Sequence, residues 1–307
     1  MERGPIFIGG PDRCGKTLLR ALLVSHPNIA IPDVGSNYWS YFYGQYGDLA
    51  QPANFERCLD AMLRYKHARF LQPDAARIRR EFRHGEPTYA RLFALFHQHY
   101  AERVGKGRWG DQLGAVERYA DPIFQAYPGA KMIHMVRDPR DRYEAAVPSL
   151  QRRRGKVGGV TDRWRASVAL ARRNLEHYVD SYLIVRYEAL VQEPEQTLRD
   201  VCAFVGETFV PGMLTFEDAM RFGADELVGF ERRAAATTAT GERASGVMSQ
   251  RELAFIQAYA GREMCVHGYQ LKPIHWSLRD RVLFYGIDWP TNVAHILAWR
   301  TLEANAE

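Results

Sequence analysis

Three short runs of consecutive apolar residues punctuate the chain: PIFIG (Pro5 to Gly9), KMIHMV (Lys131 to Val136) and SYLIVRY (Ser181 to Tyr187). Runs this short and this apolar predict strands buried on both faces, as in a parallel sheet. Each leads into a glycine turn or an Arg/Asp turn and then into helical periodicity. Helices are predicted over Thr17 to Ser25, Asp162 to Tyr178, Glu195 to Val205 and Gln250 to Tyr259. The last is opened by Ser249 and Glu252 in capping-box spacing. In the third, Leu198, Val201, Cys202 and Val205 share one face. Strand followed by helix, repeated, predicts an α/β protein with a parallel sheet flanked by helices on both faces. Ligand sites in such folds lie at the C-terminal ends of the strands.

Residues 40 to 108 break this alternation. They are rich in Tyr, Phe, Arg and His at helical spacing, as in YARLFALFHQHY, and read as a helical insert between the first strand unit and the next. Inserts of this kind often carry substrate specificity. No internal repeat or low-complexity linker divides the chain, so residues 1–307 are expected to form a single domain, with a C-terminal helical extension over about 273–307. Within that extension VLFYGIDW and NVAHILAW come nearest to a membrane span. Charges and Pro290 interrupt them well short of about 18 apolar residues. The N-terminal MERGPIFIGG lacks the apolar core of a signal peptide.

Composition narrows the class. With 46% hydrophobic and 25% charged residues the chain is globular, not disordered, collagen-like or coiled-coil. Lys and Arg (41) exceed Asp and Glu (36) for a net charge of +5, which suits an anionic ligand and is too mild to imply nucleic acid. Cys14, Cys58, Cys202 and Cys265 are too far apart for a zinc site or a disulfide framework, and reduced thiols in the cytoplasm are the expectation.

Against that background four segments carry chemistry. FIGGPDRCGKTLLRALL fits the phosphate-loop spacing through Gly10, Gly15, Lys16 and Thr17. The glycines permit tight turns, successive N–H groups with the start of the next helix can cradle a phosphate, and Arg13, Lys16 and Thr17 add charge and a hydroxyl. IHMVRDPRDRYEAA ends a buried strand by projecting Arg137 and then Arg140, whose guanidinium forks suit a second phosphate, although an internally paired surface turn has the same composition. Tyr187, at the C-terminal end of the third strand, is placed to stack on or hydrogen-bond a base. ERRAAATTATGERASG (Glu231 to Gly246) reads as a surface segment in which Arg232, Arg233 and Arg243 either close over an anion or are simply solvated.

The order of these motifs resembles the sulfotransferase family that uses 3′-phosphoadenosine 5′-phosphosulfate (PAPS) as donor. PIFIGGPDRCGKTLLRALLVSHPNIAIP is similar to that family's 5′-phosphosulfate loop, AYPGAKMIHMVRDPRD to its 3′-phosphate strand and turn, RYEALVQEPEQTLRDVCAFVG to its RYE-x-L segment, and SQRELAFIQAYAGREMCVHGY to its closing helix. Each match is weak alone, and four in order across most of the chain are strong. The resemblance implies a P-loop-NTPase-like sulfotransferase fold with a helical insert, PAPS as donor, 3′,5′-adenosine bisphosphate (PAP) as product and no metal. It implies that Arg13 stands beside the bridging oxygen and that Gly15, Lys16, Thr17 and Leu18 hold the 5′-phosphate, with Gly10 and Cys14 also in the donor-binding loop. Arg137 would bind the 3′-phosphate and Tyr187 would lie near the adenosine. Sulfuryl transfer drives negative charge onto the oxygen between phosphorus and sulfur, so donors fixed there, Arg13 and Lys16, stabilise the transition state more than the ground state.

Four positions depart from the family pattern. Val34 replaces a frequent glutamate, making Asp33 or Asp111 the candidate base. Gln112 stands where lysine is common, and Lys16 stands where threonine is usual. Ala145 replaces a serine that helps to hold the 3′-phosphate, with Ser149 one turn further along. The expected activity is sulfuryl transfer from PAPS to a hydroxyl or amine of a small molecule, glycan, lipid or peptide, by a chain that neither spans a membrane nor binds nucleic acid; a homodimer is left open. Two alternatives stand beside it. One is a P-loop small-molecule kinase with Lys16 on the phosphates and Thr17 on Mg²⁺, which also requires a metal-binding acid at a strand end. The other is a binding protein that has lost catalysis.

Overall fold

A computed structural model of the chain describes residues 3–146, 156–215 and 248–304. From the N-terminus, β1 (Ile6–Gly9) leads through a glycine loop into α1 (Lys16–Val24) and the two-residue β2 (Ile29–Ala30). Five helices follow: α2 (Tyr38–Tyr41), α3 (Pro52–Arg64), α4 (Ala68–Leu71), α5 (Ala75–Phe82) and α6 (Tyr89–Arg103). After β3 (Arg108–Gln112) come a 3₁₀ turn (Val116–Tyr119), α7 (Ala120–Ala126), β4 (Lys131–Val136), α8 (Pro139–Ala146) and α9 (Lys156–His177). β5 (Tyr182–Arg186), α10 (Tyr187–Gln192), α11 (Pro194–Val205) and α12 (Gln250–Val266) complete the body, and α13 (Leu278–Leu283) and α14 (Trp289–Ala304) form the C-terminal part.

The five strands form one parallel sheet in the order β2-β3-β1-β4-β5. Strand alternation distributes the core between the two faces. Ile6, Ile8, Ile133, Met135 and Val185 pack on α1 and α11, whose Leu19, Leu22, Leu198, Val201 and Cys202 are buried against them. Phe7 and Met132 point the other way, into a cluster with Tyr38, Trp39, Phe93 and Phe96 of the insert and Ala171 of α9. A third cluster joins Val160, Trp164 and Val168 of α9 to Phe255, Ala260 and Met264 of α12. The expected capping box is formed: Ser249 accepts from Glu252 N and the Glu252 carboxylate accepts from Ser249 N at 2.8 Å.

The observed α/β layering matches the sequence expectation, and the three apolar runs are β1, β4 and β5. Neither β2 nor β3 is predicted by an apolar run. β2 has only two residues, and RWGDQ of β3 contains two charges and an amide. Its Arg108 is nonetheless buried, donating to Gly4 O at 2.8 Å and lying 3.3 Å from Glu207. α9 begins at Lys156, earlier than the predicted Asp162, because Val157 and Val160 extend its buried face upstream. Among the described residues no helix is long and apolar enough to cross a membrane.

Candidate functional site

The loop after β1 is forced into shape from two sides. Gly10 has φ 114°, and a Cβ there would lie 2.2 Å from Met135 O of β4. Gly15 has φ 89°, and its Cβ would lie 2.4 Å from the Tyr187 ring. Only glycine tolerates both the conformation and the approach. Arg13 also has positive φ (63°), an uncommon conformation for a side-chain-bearing residue and one that concentrates at functional sites. Gly15 caps α1 without any side-chain bond, so the first N–H groups of the helix, from Lys16, Thr17 and Leu18, face the loop without a side-chain acceptor.

Lys16 is buried and folds back, its Nζ donating to Gly10 O at 2.6 Å and lying 3.7 Å from Asp12 Oδ1. It closes the loop on itself and places an ammonium at its centre. The Arg13 side chain is exposed. The Cys14 thiol is fully buried, and burial pushes its pKa up to about 11, so this residue offers an anion its backbone and not its sulfur.

On the β4–β5 flank, Arg137 Nη1 donates to Arg13 O at 3.2 Å and its guanidinium lies 4.3 Å from the centre of the Tyr187 ring. The buried indole of Trp164 donates to Arg137 O at 2.8 Å, and Arg137 Nε is a buried donor without a hydrogen-bond partner. Arg137 is therefore fixed against the phosphate loop with a donor to spare. Tyr187 differs from its expected role. The residue is only 3% exposed, with Gly15 packed against its ring and the Arg137 guanidinium over it, so it is a floor for the loop and offers little surface on which a base can stack.

Arg140 also departs from expectation. It pairs with Asp138, Nε to Oδ1 at 2.9 Å and Nη2 to Oδ2 at 2.6 Å, and donates to Gln257 at 2.9 Å. This internally paired turn neutralises the residue read as a second phosphate fork. The structure brings up Arg142 instead, with Nε donating to Asp12 O at 2.6 Å and Nη1 to Val160 O at 2.9 Å. Burial lowers its pKa, yet carbonyls satisfy its donors without cancelling its charge. Nothing in the sequence marked Arg142 apart from its place as the third arginine of the turn. Ser149, Arg232, Arg233 and Arg243 lie outside the described residues.

On the β2–β3 flank, Gln112 Nε2 lies 3.5 Å from Thr17 Oγ1, while Gln112 Oε1 is buried without a partner. Asp111 points to the opposite side of β3, 1% exposed. It accepts from Ser36 N at 3.0 Å and from the Ser36 hydroxyl, with His97 Nε2 3.3 Å away. That set of partners makes Asp111 a strut for the insert. Asp33, half-buried beyond β2, is bonded to Arg20 Nη1 at 2.9 Å, and burial raises its pKa in spite of the guanidinium. Neither aspartate is brought to Gly10–Leu18 by any hydrogen bond.

A third carboxylate is brought to the loop. Glu117, in the 3₁₀ turn after β3, is 3% exposed, and its Oε2 accepts from Gly10 N at 3.4 Å. The Ser167 hydroxyl of α9 donates to its Oε1. This contact joins residues 107 positions apart, and no local motif announces it. Among the described residues no group of three or more His, Cys, Asp and Glu is arranged to hold a metal.

Known proteins can be set beside this geometry. The group described as the sulfotransferase family matches residues 5–211. Carbohydrate sulfotransferase 5 of Mus musculus is 27% identical over 177 residues, covering 50% of this chain and 44% of that protein, so the chain spans less than half the length of this curated relative. The sulfotransferase domain from the curacin biosynthetic pathway superposes with a TM-score of 0.51 at 17% identity, over 88% of this chain and 99% of that domain, a likeness of fold. A sulfotransferase from Alicyclobacillus acidocaldarius gives a TM-score of 0.47 at 20% identity, over 88% and 98% of the two chains.

Proposed function

The chain belongs to the sulfotransferase family, and on that premise we propose that it moves a sulfuryl group from PAPS to a hydroxyl or amine of an acceptor. The donor's 5′-phosphate is assigned to the loop from Gly10 to Leu18 and the helix start behind it, and its 3′-phosphate to Arg137. Arg13 and Lys16 are assigned to the bridging oxygen, where negative charge accumulates as the S–O bond breaks. The unpartnered Arg137 Nε and the uncapped N–H groups of α1 are the donors such an anion needs.

The observation that carries this reading over the kinase alternative is the neighbour of Thr17. A Mg²⁺-dependent phosphate loop places a strand-end carboxylate beside the threonine, so that metal and hydroxyl share a ligand sphere. Here that neighbour is the Gln112 amide, with Asp111 turned to the opposite face. At the end of β4 an arginine precedes an aspartate already paired with Arg140. These residues favour a second phosphate over a metal.

Calorimetry tests the assignment. PAP is expected to bind without metal at least about tenfold more tightly than ATP, because only PAP carries the 3′-phosphate for Arg137. ATP binding that exceeds PAP binding, or requires Mg²⁺, overturns it. With the donor established, saccharide hydroxyls are the first acceptor class to screen by product mass, as the name of the mouse relative suggests, followed by phenols, lipids and peptides.

A further inference from the structure

A cavity of about 210 Å³ lies against the phosphate loop, with Gly10, Pro11 and Asp12 on one wall, Gly114 and Glu117 on a second and Ser167 of α9 on a third. Resting on the sulfuryl-transfer reading, we propose that this cavity receives the acceptor and that Glu117 is the general base that takes its proton.

A base for this reaction needs a carboxylate oxygen open towards a space that also touches the donor loop. Asp111 is enclosed by Ser36 and His97, and Asp33 is held by Arg20. Glu117 lines the cavity and is joined to the loop at Gly10, three residues before Arg13. A carboxylate offers about four lone-pair positions. Gly10 N–H takes one on Oε2 and Ser167 one on Oε1, which fixes the rotamer and leaves acceptor capacity for a hydroxyl. His134 has Nδ1 4.0 Å from Oε2 and meets the Tyr182 hydroxyl at 3.1 Å. Burial pushes its imidazole down to about 4, so near neutrality it is uncharged and does not form an ion pair with Glu117.

In the step itself the acceptor oxygen attacks sulfur, forming the new S–O bond as its proton passes to Glu117. The bond between sulfur and the bridging oxygen breaks, and its electron pair leaves on the 5′-phosphate of PAP, where Arg13 and Lys16 receive the charge. Glu117 then releases the proton to solvent as the sulfated product departs.

Glu117→Gln separates this role from a structural one, because the amide oxygen still accepts from Gly10 N–H but cannot take a proton. With PAPS and the acceptor found by the product-mass screen, turnover is expected to fall about 100-fold or more, with PAP affinity unchanged. A loss of turnover smaller than about tenfold, a tenth of the smallest expected effect, overturns the proposal. Should Glu117→Gln fail to fold, Ala166→Trp carries the test. Ala166 is an exposed helix residue on the cavity wall, and an indole there is expected to raise the acceptor KM about tenfold without changing PAP affinity. An unchanged acceptor KM overturns the placement of the acceptor and Glu117 with it. If wild-type protein transfers sulfate from PAPS to none of the acceptors, the sulfuryl-transfer reading itself fails, an outcome distinct from an active but Glu117-independent enzyme.

Discussion

The two flanks of the phosphate loop treat charge in opposite ways. On the β4–β5 flank, Arg137 and Arg142 donate to backbone carbonyls of the loop, Arg13 O and Asp12 O, which orient them but leave their charges uncancelled. On the β2–β3 flank the two aspartates are held away from the loop, Asp33 by the Arg20 guanidinium and Asp111 by the N–H and hydroxyl of Ser36. A carbonyl partner orders a cation without neutralising it, and inside a protein the remaining field is screened far less than in water. The first flank is thereby prepared for an anion. The second is quiet towards the loop, to which it brings the Glu117 carboxylate that lines the cavity.

Two arginines three positions apart test this contrast most severely. Arg140→Ala strips Asp138 and Gln257 of their buried partner and is expected to destabilise the fold by about 3 kcal/mol, read from chemical denaturation, while PAP affinity per folded molecule stays the same. Arg137→Ala is expected to do the reverse, reducing PAP affinity by about 30- to 100-fold with little change in stability. If the two variants affect affinity equally, the distinction between a neutralised and an un-neutralised guanidinium fails.

These flanks were unequally legible in the sequence. β1, β4, β5, the glycine loop and Arg137 announce themselves because each signal is local: an apolar run, a glycine at a turn, a charge at a strand end. Arg140 and Arg142 sit in the same turn with the same composition, and only the folded chain shows that Asp138 claims one and Asp12 O orients the other. Glu117 is less legible still, since its meaning depends on Gly10 and on Ser167, 50 residues further along. β3 escapes for a related reason: its burial is assured by Arg108 finding Glu207 and two carbonyls, a long-range solution that strand propensity does not register.

Gly15→Ala sharpens the first flank alone. A methyl group at φ 89°, 2.4 Å from the Tyr187 ring, forces either the loop or the ring to move. A cost of about 2 kcal/mol in stability is expected from the strain. Because Tyr187 also carries the Arg137 guanidinium, PAP affinity should fall as well. Tyr187→Ala is itself expected to destabilise by about 3 kcal/mol through the lost buried ring, but in that background Gly15→Ala should cost less than it does in the wild type, with PAP affinity low in both. An equal cost in the two backgrounds would mean that the ring is not what the methyl group meets.

The smallest expected effect falls on the quiet flank, and it is the one that discriminates among the carboxylates. Asp33 is bonded to an arginine that is 2% exposed, so Asp33→Asn weakens that contact but leaves an amide oxygen to accept from Arg20. A stability loss of about 1 kcal/mol is expected, within the usual range for a hydrogen bond that loses its ionic component. Burial holds the Asp33 pKa above its ordinary value, which suits a base, but its position does not. No bond ties it to the loop, and it does not line the cavity beside Gly10. Turnover of Asp33→Asn should therefore stay within about threefold of wild type. A loss of about 100-fold in Asp33→Asn with Glu117→Gln unimpaired would transfer the base from the β1–α9 cavity to the β2 edge, and with it the direction from which the acceptor approaches.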